Sequence, residues 1–339
     1  MSLRRSNKVK SFFYNFHHLK MFIFKSNYRY ANFKYSYSNF EAFSKQLNEE
    51  GVYTINIGDY IQAFAIENLY KTLGIKNLDC VDRDTLCNYK GKPLKVMMNA
   101  VIWQRNIPFK DKIWPYFLGV NLHHKNFEKM LPYLKKSEPI GCRDVSTCEK
   151  LNKFGVEAYV TGCYSMTLPK RETVPVEEKI FFVGVSDELK KHIPKHLLSK
   201  SVFVEQREPM YNYPLSEKDM EFAKNKAEEL IQMYKNEATL VVTPLLHCAS
   251  PCIGMGIPVI LARDEDNPRF SAIKKITKLY LKEDYPNINW SPASVDIEGL
   301  KANMIEHARA RLLENRVDSE SLRYLNEFFL NKAHERVGI

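Results

Sequence analysis

Short apolar runs alternate with helical stripes along the first half of the chain. Runs typical of buried strands occupy residues 52–55, 77–81, 95–103, 138–142 and 157–161. Between them, apolar residues recur at helical spacing over 61–73 and 145–154, and each of these stripes ends at a glycine suited to a C-cap. The pattern predicts strands connected by helices, as in βαβ units with parallel sheets.

The same alternation begins again after residues 169–176, a charged, proline-containing stretch that we interpret as a linker. Strands are predicted at 180–185, 202–205, 239–243 and 257–261. Helices are predicted at 187–199, 216–235, 249–255, 296–315 and 319–333. Ser216 and Asp219 have the spacing of a capping box at the start of one of these helices.

Two alternating halves around one linker predict an α/β protein with two Rossmann-like domains facing a cleft. The predicted segments are an arm at 1–45, domains at 46–172 and 173–315, and a C-terminal helix at 316–339. Ligands of open parallel sheets bind beyond the carboxyl ends of the strands. That rule selects residues 56–59, 142–144, 243–247 and 262–269 as candidate site segments.

Residues 1–40 contain no Asp or Glu, and basic residues alternate there with phenylalanine and tyrosine. One interpretation is a peripheral element that contacts an anionic membrane surface. The other is an arm that packs its aromatic rings on the main body. No apolar run reaches the roughly 18 residues that span a bilayer. We therefore expect a cytoplasmic protein, with contact at the inner face of the membrane as the alternative.

The seven cysteines are odd in number and include no Cys-x-x-Cys, so a secreted disulfide framework is not indicated. Cys248 and Cys252 lie beside His247, but no second ligand pair with zinc spacing accompanies them, and we expect no metal. The formal charge of +10 suits acidic ligands. Since no nucleic-acid-binding motif is present, we expect no nucleic-acid partner.

Four segments at the predicted strand ends resemble, in order, the polysaccharide pyruvyl transferase family. They are Asn56-Ile57-Gly58-Asp59, Gly141-Cys142-Arg143-Asp144, Leu246-His247-Cys248-Ala249 with Gly256-Ile257-Pro258, and Asn267-Pro268-Arg269-Phe270. The resemblance implies a glycosyltransferase-B-like fold. It also implies transfer of an enolpyruvyl unit from phosphoenolpyruvate to a sugar of a cell-surface polysaccharide or its lipid-linked precursor, forming a pyruvate ketal. Phosphoenolpyruvate is then the donor substrate, and no further cofactor is implied.

Leu245 departs from this pattern, because the family usually carries an arginine two residues before the histidine. Donor binding is therefore expected to fall on Arg143, Arg263 and Arg269, whose planar forks suit carboxylate and phosphate. The departure keeps two alternatives open. One is a glycosyltransferase of the same architecture that uses a nucleotide sugar, and the other is a non-enzymatic scaffold of a capsule-assembly complex.

The remaining site candidates follow from their chemistry and position. His247 titrates in the range needed to shuttle a proton, although a buried, locally bonded histidine is the alternative. Asp59 is expected to act as a base or to bind sugar hydroxyls, and its alternative is the N-cap of its helix. Asn56 and Gly58 are expected to bind substrate from the same turn, and for Arg143 the alternative is a salt bridge to Asp144 or to a neighbouring helix.

Overall fold

The computed structural model describes residues 28–38, 54–103, 106–123, 127–210 and 213–330. Most of the predicted arm, including residues 1–27, lies outside the described residues, and so does any membrane contact predicted for that part. The described helices include none that is long and apolar enough to cross a bilayer.

The chain forms a mixed α/β structure with parallel sheets, as the alternation predicted. The strands are β1 (Arg29–Lys34), β2 (Thr54–Asn56), β3 (Asp79–Asp82), β4 (Leu94–Met97), β5 (Val101–Trp103), β6 (Ile113–Tyr116), β7 (Asn121–His123), β8 (Ile140–Cys142), β9 (Ala158–Val160), β10 (Lys179–Val183), β11 (Ser201–Val204), β12 (Arg207–Pro209), β13 (Ala238–Thr243), β14 (Val259–Ala262) and β15 (Leu279–Tyr280). A four-stranded sheet has the order β3-β1-β4-β6, and a five-stranded sheet has the order β11-β10-β13-β14-β15. Neighbouring strands in both sheets are parallel.

Three further strand pairs lie outside the two large sheets. β5 pairs with β7 and β8 pairs with β9 in parallel, whereas β2 pairs with β12 antiparallel. The β2–β12 pair joins the two halves of the chain, because β2 precedes the predicted linker and β12 follows it. The backbone N–H of Ile57 extends this connection by donating to the carbonyl of Gln206 at 3.0 Å.

The helices are α1 (Ile57–Thr72), α2 (Leu131–Lys135), α3 (Val145–Lys153), α4 (Asp187–Lys190), α5 (Lys195–Leu198), α6 (Glu217–Glu237), α7 (Leu246–Gly254), α8 (Glu298–Leu313) and α9 (Ser319–Leu330). The capping box at the start of α6 is present, with Ser216 and Asp219 in the predicted roles. α1 packs against α6 and α7, and α8 packs against α9. One large apolar core runs through both halves, and a smaller cluster lies around β10 and its neighbours in the second sheet.

Three sequence predictions need correction. β1, assigned to the arm, is an interior strand of the first sheet, and its buried Ala31 and Phe33 belong to the core. The helix predicted at 187–199 is two short helices, because Pro194 lacks an N–H and disfavours helical backbone before it. The strand predicted at 95–103 is two strands, because the chain leaves the first sheet after Met97 and pairs with β7.

Candidate functional site

The turn between β2 and α1 brings the first motif against the third. Asn56 is the N-cap of α1, and its Oδ1 accepts a hydrogen bond from the N–H of Gly58 at 3.2 Å. A β-carbon added to Gly58 would lie 3.0 Å from the β-carbon of His247. Glycine at this position therefore lets the histidine lie directly against the first turn of α1.

His247 lies in the first turn of α7, directly after β13, and only 8 % of its surface is exposed. Its Nδ1 is buried and has no hydrogen-bond partner among the described residues. Burial, followed by the positive charges of Arg143 and Arg269, lowers the pKa of His247 well below its ordinary value. The imidazole is therefore neutral at neutral pH, and the two arginines lie within electrostatic range of it.

Arg143 occupies the carboxyl end of β8 and is 1 % exposed. Its backbone N–H donates to the carbonyl of Val120 at 2.8 Å, which fixes the base of the side chain. Within the described part of the chain, none of its three guanidinium nitrogens has a hydrogen-bond partner. Because an unpaired buried charge is strongly unfavourable, this arginine is suited to an anion that enters from outside.

Arg269 reaches the same region from a 3₁₀ turn at Pro268–Phe270, which is capped by Asn267. Its Nε is also buried without a partner in the described ranges. Burial, followed by the positive charge of Arg143, lowers the pKa of Arg269 to about 10. Arg143 is therefore close enough to act on Arg269, and two neighbouring cations are what an anion-binding site requires.

Ser271 fastens the Arg269 turn to the start of α3. Its Oγ accepts hydrogen bonds from the backbone N–H groups of Val145, at 3.0 Å, and Ser146, at 3.3 Å. The hydroxyl of Ser146 donates in return to the carbonyl of Pro268 at 3.3 Å. Arg143 and Arg269 therefore come from different halves of the chain and are held together by a hydrogen-bonded contact.

Asp59 lies in the first turn of α1 but does not cap it, because Asn56 has that role. Its Oδ2 accepts a hydrogen bond from the Tyr37 hydroxyl at 3.3 Å and lies 3.7 Å from Nη1 of Arg83. Burial raises the pKa of Asp59, whereas the charges of Arg83, Arg269 and Arg143 act to lower it. Asp59 is a buried carboxyl group whose pKa responds to the charges of Arg143 and Arg269, and it is therefore a candidate acid or base.

A sequence model of one family, described as polysaccharide pyruvyl transferase, matches residues 9–263. The chain belongs to the polysaccharide pyruvyl transferase family. The match includes Asp59, Arg143 and His247, whereas Arg269 lies beyond its end. Membership indicates a transferase that acts on polysaccharide, in agreement with the resemblance found in the sequence.

Two other comparisons add little to the family assignment. No curated protein matches the chain. Among solved structures, the chain is similar to a functionally uncharacterised protein of Klebsiella pneumoniae subsp. pneumoniae NTUH-K2044. The identity is 12 %, the match covers 73 % of this chain and 87 % of that one, and the TM-score is 0.40.

In this pyruvyl transferase family member, Asp144 is a structural cap. Its Oδ1 accepts from the N–H of Thr147 at 2.8 Å and its Oδ2 from the side-chain amide of Asn121 at 2.7 Å. The predicted alternative for Arg143, a salt bridge to Asp144, is not found among the described residues. Asp144 therefore holds the start of α3 and leaves Arg143 unpaired.

Arg263, the third arginine predicted to bind donor, is engaged by the protein itself. Its Nη1 donates to the carbonyl of Pro244 at 2.6 Å and its Nε to the carbonyl of Glu265 at 3.2 Å. The guanidinium also lies 4.2 Å from the centre of the Phe270 ring. These contacts support the turn before His247, and we assign Arg263 a structural role beside the site.

Leu245 packs over the end of β10 in this family member, since a β-carbon on Gly184 would lie 3.0 Å from its Cδ1.

No cluster of three or more His, Cys, Asp or Glu side chains suited to a metal occurs in the described ranges. Cys248 and Cys252 are buried free thiols.

Arg83 is the site residue that the sequence interpretation missed. It is 2 % exposed, begins a 3₁₀ turn directly after β3 and pairs with both Asp84 and Asp59. The strand at 77–81 was predicted, and Asp82-Arg83-Asp84 follows it at once. The strand-end rule that selected the other segments would have selected this one as well.

Proposed function

We propose that this chain transfers the enolpyruvyl unit of phosphoenolpyruvate to a sugar of a cell-surface polysaccharide or of its lipid-linked precursor. The product is a pyruvate ketal, and inorganic phosphate is released. Family membership supports a polysaccharide acceptor. The observation that carries the donor assignment is the buried guanidinium of Arg143, which has no partner on any of its three nitrogens among the described residues.

The donor carries two anionic groups, a carboxylate and a phosphate, and the site offers two convergent arginines. Arg143 and Arg269 would each bind one of these groups through a planar fork. The first turn of α7 adds backbone N–H groups, because its N-cap residue, Leu245, provides no side-chain cap. This arrangement supplies the positive charge that the donor needs although position 245 is a leucine.

His247 is proposed as the proton donor to the methylene carbon of phosphoenolpyruvate. In the empty site the imidazole is neutral, since burial and the charges of Arg143 and Arg269 lower its pKa. A bound donor anion offsets those two charges and therefore raises the pKa of His247. The histidine then takes up a proton together with the donor, and its protonated form is available for the first chemical step.

Asp59 is proposed as the base that accepts the proton of the attacking sugar hydroxyl. The hydroxyl oxygen forms a bond to C2 of the donor as the methylene carbon becomes a methyl group. The bond between C2 and the phosphate oxygen then breaks, and a second hydroxyl of the sugar adds to C2. The two sugar hydroxyls lose two protons in total. One replaces the proton that the methylene carbon gained, and the other is found in the hydrogen phosphate product.

The proposed function accounts for further features expected from the sequence. A glycosyltransferase-B-like arrangement of two Rossmann-like domains, divided near residues 172 and 173, would bind donor and acceptor in the intervening cleft. Asn56 and Gly58 would line the acceptor side of that cleft beside Asp59. Phosphoenolpyruvate is a metabolite of the cytoplasm, so the reaction would take place there, at the inner face of the membrane when the acceptor is lipid-linked.

The test incubates the purified chain with phosphoenolpyruvate and a panel of oligosaccharide acceptors. We expect phosphate release in step with a new ketal methyl signal in the proton NMR spectrum, and loss of both in His247→Ala and Arg143→Ala. Calorimetric titration with phosphoenolpyruvate and with nucleotide sugars separates the alternatives. Binding of a nucleotide sugar instead of phosphoenolpyruvate favours a glycosyltransferase, and binding of neither favours a scaffold.

A further inference from the structure

Arg83 joins two buried carboxyl groups. Its Nε lies 3.0 Å and its Nη2 3.4 Å from the oxygens of Asp84, while its Nη1 lies 3.7 Å from Oδ2 of Asp59. Its guanidinium lies 4.7 Å from the centre of the Tyr35 ring. Asp84 also accepts the backbone N–H of Tyr37 at 3.1 Å. Arg83 is therefore fixed on several sides before it reaches Asp59.

The Tyr37 and Arg83 contacts of the Asp59 carboxyl fall on the same oxygen. Oδ2 accepts from the Tyr37 hydroxyl and faces Arg83, whereas Oδ1 has no hydrogen-bond partner among the described residues. An anchored Oδ2 and an unengaged Oδ1 are the arrangement expected of a base whose second oxygen must reach a substrate.

We propose that Arg83 is a positioning residue that keeps the buried Asp59 carboxyl ionised and orients its Oδ1 toward the acceptor hydroxyl. The proposal rests on the function proposed above, in which Asp59 is the base. Arg83 itself touches neither substrate nor reacting atoms in this account. It acts only through Asp59.

Arg83 is the cation that matters most for the ionisation of Asp59, given the other ionisable groups around this carboxyl. Besides Arg83 and Asp84, the ionisable side chains that act on Asp59 or respond to it are Arg143, Arg269, Tyr35, Tyr37 and Tyr60. Burial and then the charge of Asp59 raise the pKa of each of these three tyrosines, so they are uncharged at neutral pH. His247, on the adjacent α7, is neutral in the empty site.

Donor binding makes the contribution of Arg83 larger still. Arg143 and Arg269 lower the pKa of Asp59 in the empty site, but a donor anion bound between them cancels that influence. Arg83 lies in contact with Asp59 and pairs with it independently of the donor. At the moment when the base is needed, Arg83 is the cation that still stabilises the carboxylate.

The test is a titration of the Asp59 carboxyl by ¹³C NMR on protein labelled at its aspartate carboxyl carbons, with Asp59→Asn to assign the signal. We expect Arg83→Met to raise the midpoint by about one pH unit or more, because an opposite charge in contact lowers a carboxyl pKa by about that amount. Asp84→Asn should move the midpoint in the opposite direction, since Asp84 raises the pKa of Asp59. Arg83→Lys keeps the charge and should stay near the wild type.

The acidic limb of the pH profile of kcat/KM should move with the NMR midpoint in each variant. An unchanged midpoint in Arg83→Met would overturn the proposal. Should Arg83→Met fail to fold, Arg83→Gln takes its place, and a midpoint that does not rise in that variant overturns the proposal. The NMR readout does not depend on turnover. If the Asp59 midpoint shifts as expected but the chain has no activity on phosphoenolpyruvate, the proposed function alone is refuted. If the chain turns over phosphoenolpyruvate but the Asp59 midpoint stays fixed in the variants, the role of Arg83 alone is refuted.

Discussion

Gly58 and His247 are in direct contact across the two halves of the chain. A β-carbon on Gly58 would lie 3.0 Å from the β-carbon of the histidine and 3.3 Å from its Cδ2. The same β-carbon would lie 3.0 Å from Oδ1 of Asn56, the cap of α1. The contact joins the start of α1 in the first half to the start of α7 in the second. The Asp59 carboxyl group belongs to the first of these helix starts and the His247 imidazole to the second.

Gly58→Ala should therefore lower activity more than stability. The added methyl displaces His247 by a few tenths of an ångström, and overpacking of this kind costs about 1–3 kcal/mol. Alanine, however, favours a helix over glycine by up to about 1 kcal/mol, which offsets part of the loss. We expect kcat to fall about tenfold or more with a small change in the urea midpoint.

Gly299→Ala is the matched control for that substitution. Gly299, like Gly58, is the second residue of its helix, and among the described residues its β-carbon would meet the Tyr324 hydroxyl alone, at 3.2 Å. Its activity should equal that of the wild type. Equal activity of both variants would show that the Gly58–His247 contact is unimportant for catalysis.

Arg143 and Arg83 provide a paired test of how each buried charge is used. Arg143→Met removes a cation that has no partner in the described part of the chain, so we expect the free energy of unfolding without ligand to stay the same or to rise. Arg83→Met breaks a buried ion-paired group and should lower that free energy by about 3–5 kcal/mol. Urea denaturation of both variants measures the contrast.

The affinity for phosphoenolpyruvate should depend on Arg143 although the stability of the chain does not. Arg143→Met should weaken phosphoenolpyruvate binding by about a hundredfold, the equivalent of two charge-assisted hydrogen bonds of about 1.5 kcal/mol each. Calorimetric titration at pH 8 gives this value. A strongly destabilised Arg143→Met that binds the donor normally would contradict the assignment of Arg143 to the ligand.

The order of strands and helices could be predicted well from the sequence where the hydrophobic pattern was clear. The strand–turn–helix units at Asn56, Arg143 and His247 follow from apolar runs that end at polar residues. β1 was missed because its basic and aromatic residues resemble those of the preceding segment. Its burial inside a sheet depends on partners, β3 and β4, that are distant in sequence.

The chemistry of the site was less accessible to sequence reasoning, because it depends on pairing. Arg263 and Arg269 belong to the same loop. Only the structure shows that Arg263 is held by the Pro244 carbonyl, whereas Nε of Arg269 has no partner within the described ranges. Arg83 lacked a motif of its own. Its position directly after a predicted strand is a sequence signal, but its pairing with Asp59, 24 positions earlier in the chain, is evident only in the structure.

Binding of phosphoenolpyruvate should be accompanied by proton uptake at His247. The histidine has a lowered pKa in the empty site, and an anion between Arg143 and Arg269 favours its charged form. The affinity should therefore rise as the pH falls, and calorimetry in buffers with different ionisation enthalpies should detect the proton gained. His247→Gln should abolish this uptake.

His307→Gln is the control for the proton measurement. His307 is also buried, burial and then the charge of Arg311 lower its pKa to about 4, and it bonds to the Tyr159 hydroxyl. It is not among the groups that act on His247, so its replacement should leave proton uptake intact. Loss of uptake in His307→Gln, or its persistence in His247→Gln, would assign the proton elsewhere.

Ser271→Ala tests whether the Arg269 turn must be fastened to α3. The substitution leaves the N–H groups of Val145 and Ser146 without their acceptor, a loss of about 1 kcal/mol for each bond. Arg269 becomes less well placed, and we expect KM for phosphoenolpyruvate to rise about tenfold with a smaller change in kcat. Ser137→Ala, which loses a bond to the Tyr133 carbonyl instead, should change neither. Similar KM values for both variants would argue against a role for the Ser271 contact.

A crystal structure of the chain with phosphoenolpyruvate tests the central claim most directly. We expect one anionic group of the ligand within hydrogen-bond distance of the Arg143 guanidinium and the other near Arg269, and we expect the methylene carbon next to the His247 ring. Ligand bound at another place, with the three nitrogens of Arg143 still without a partner, would contradict the account.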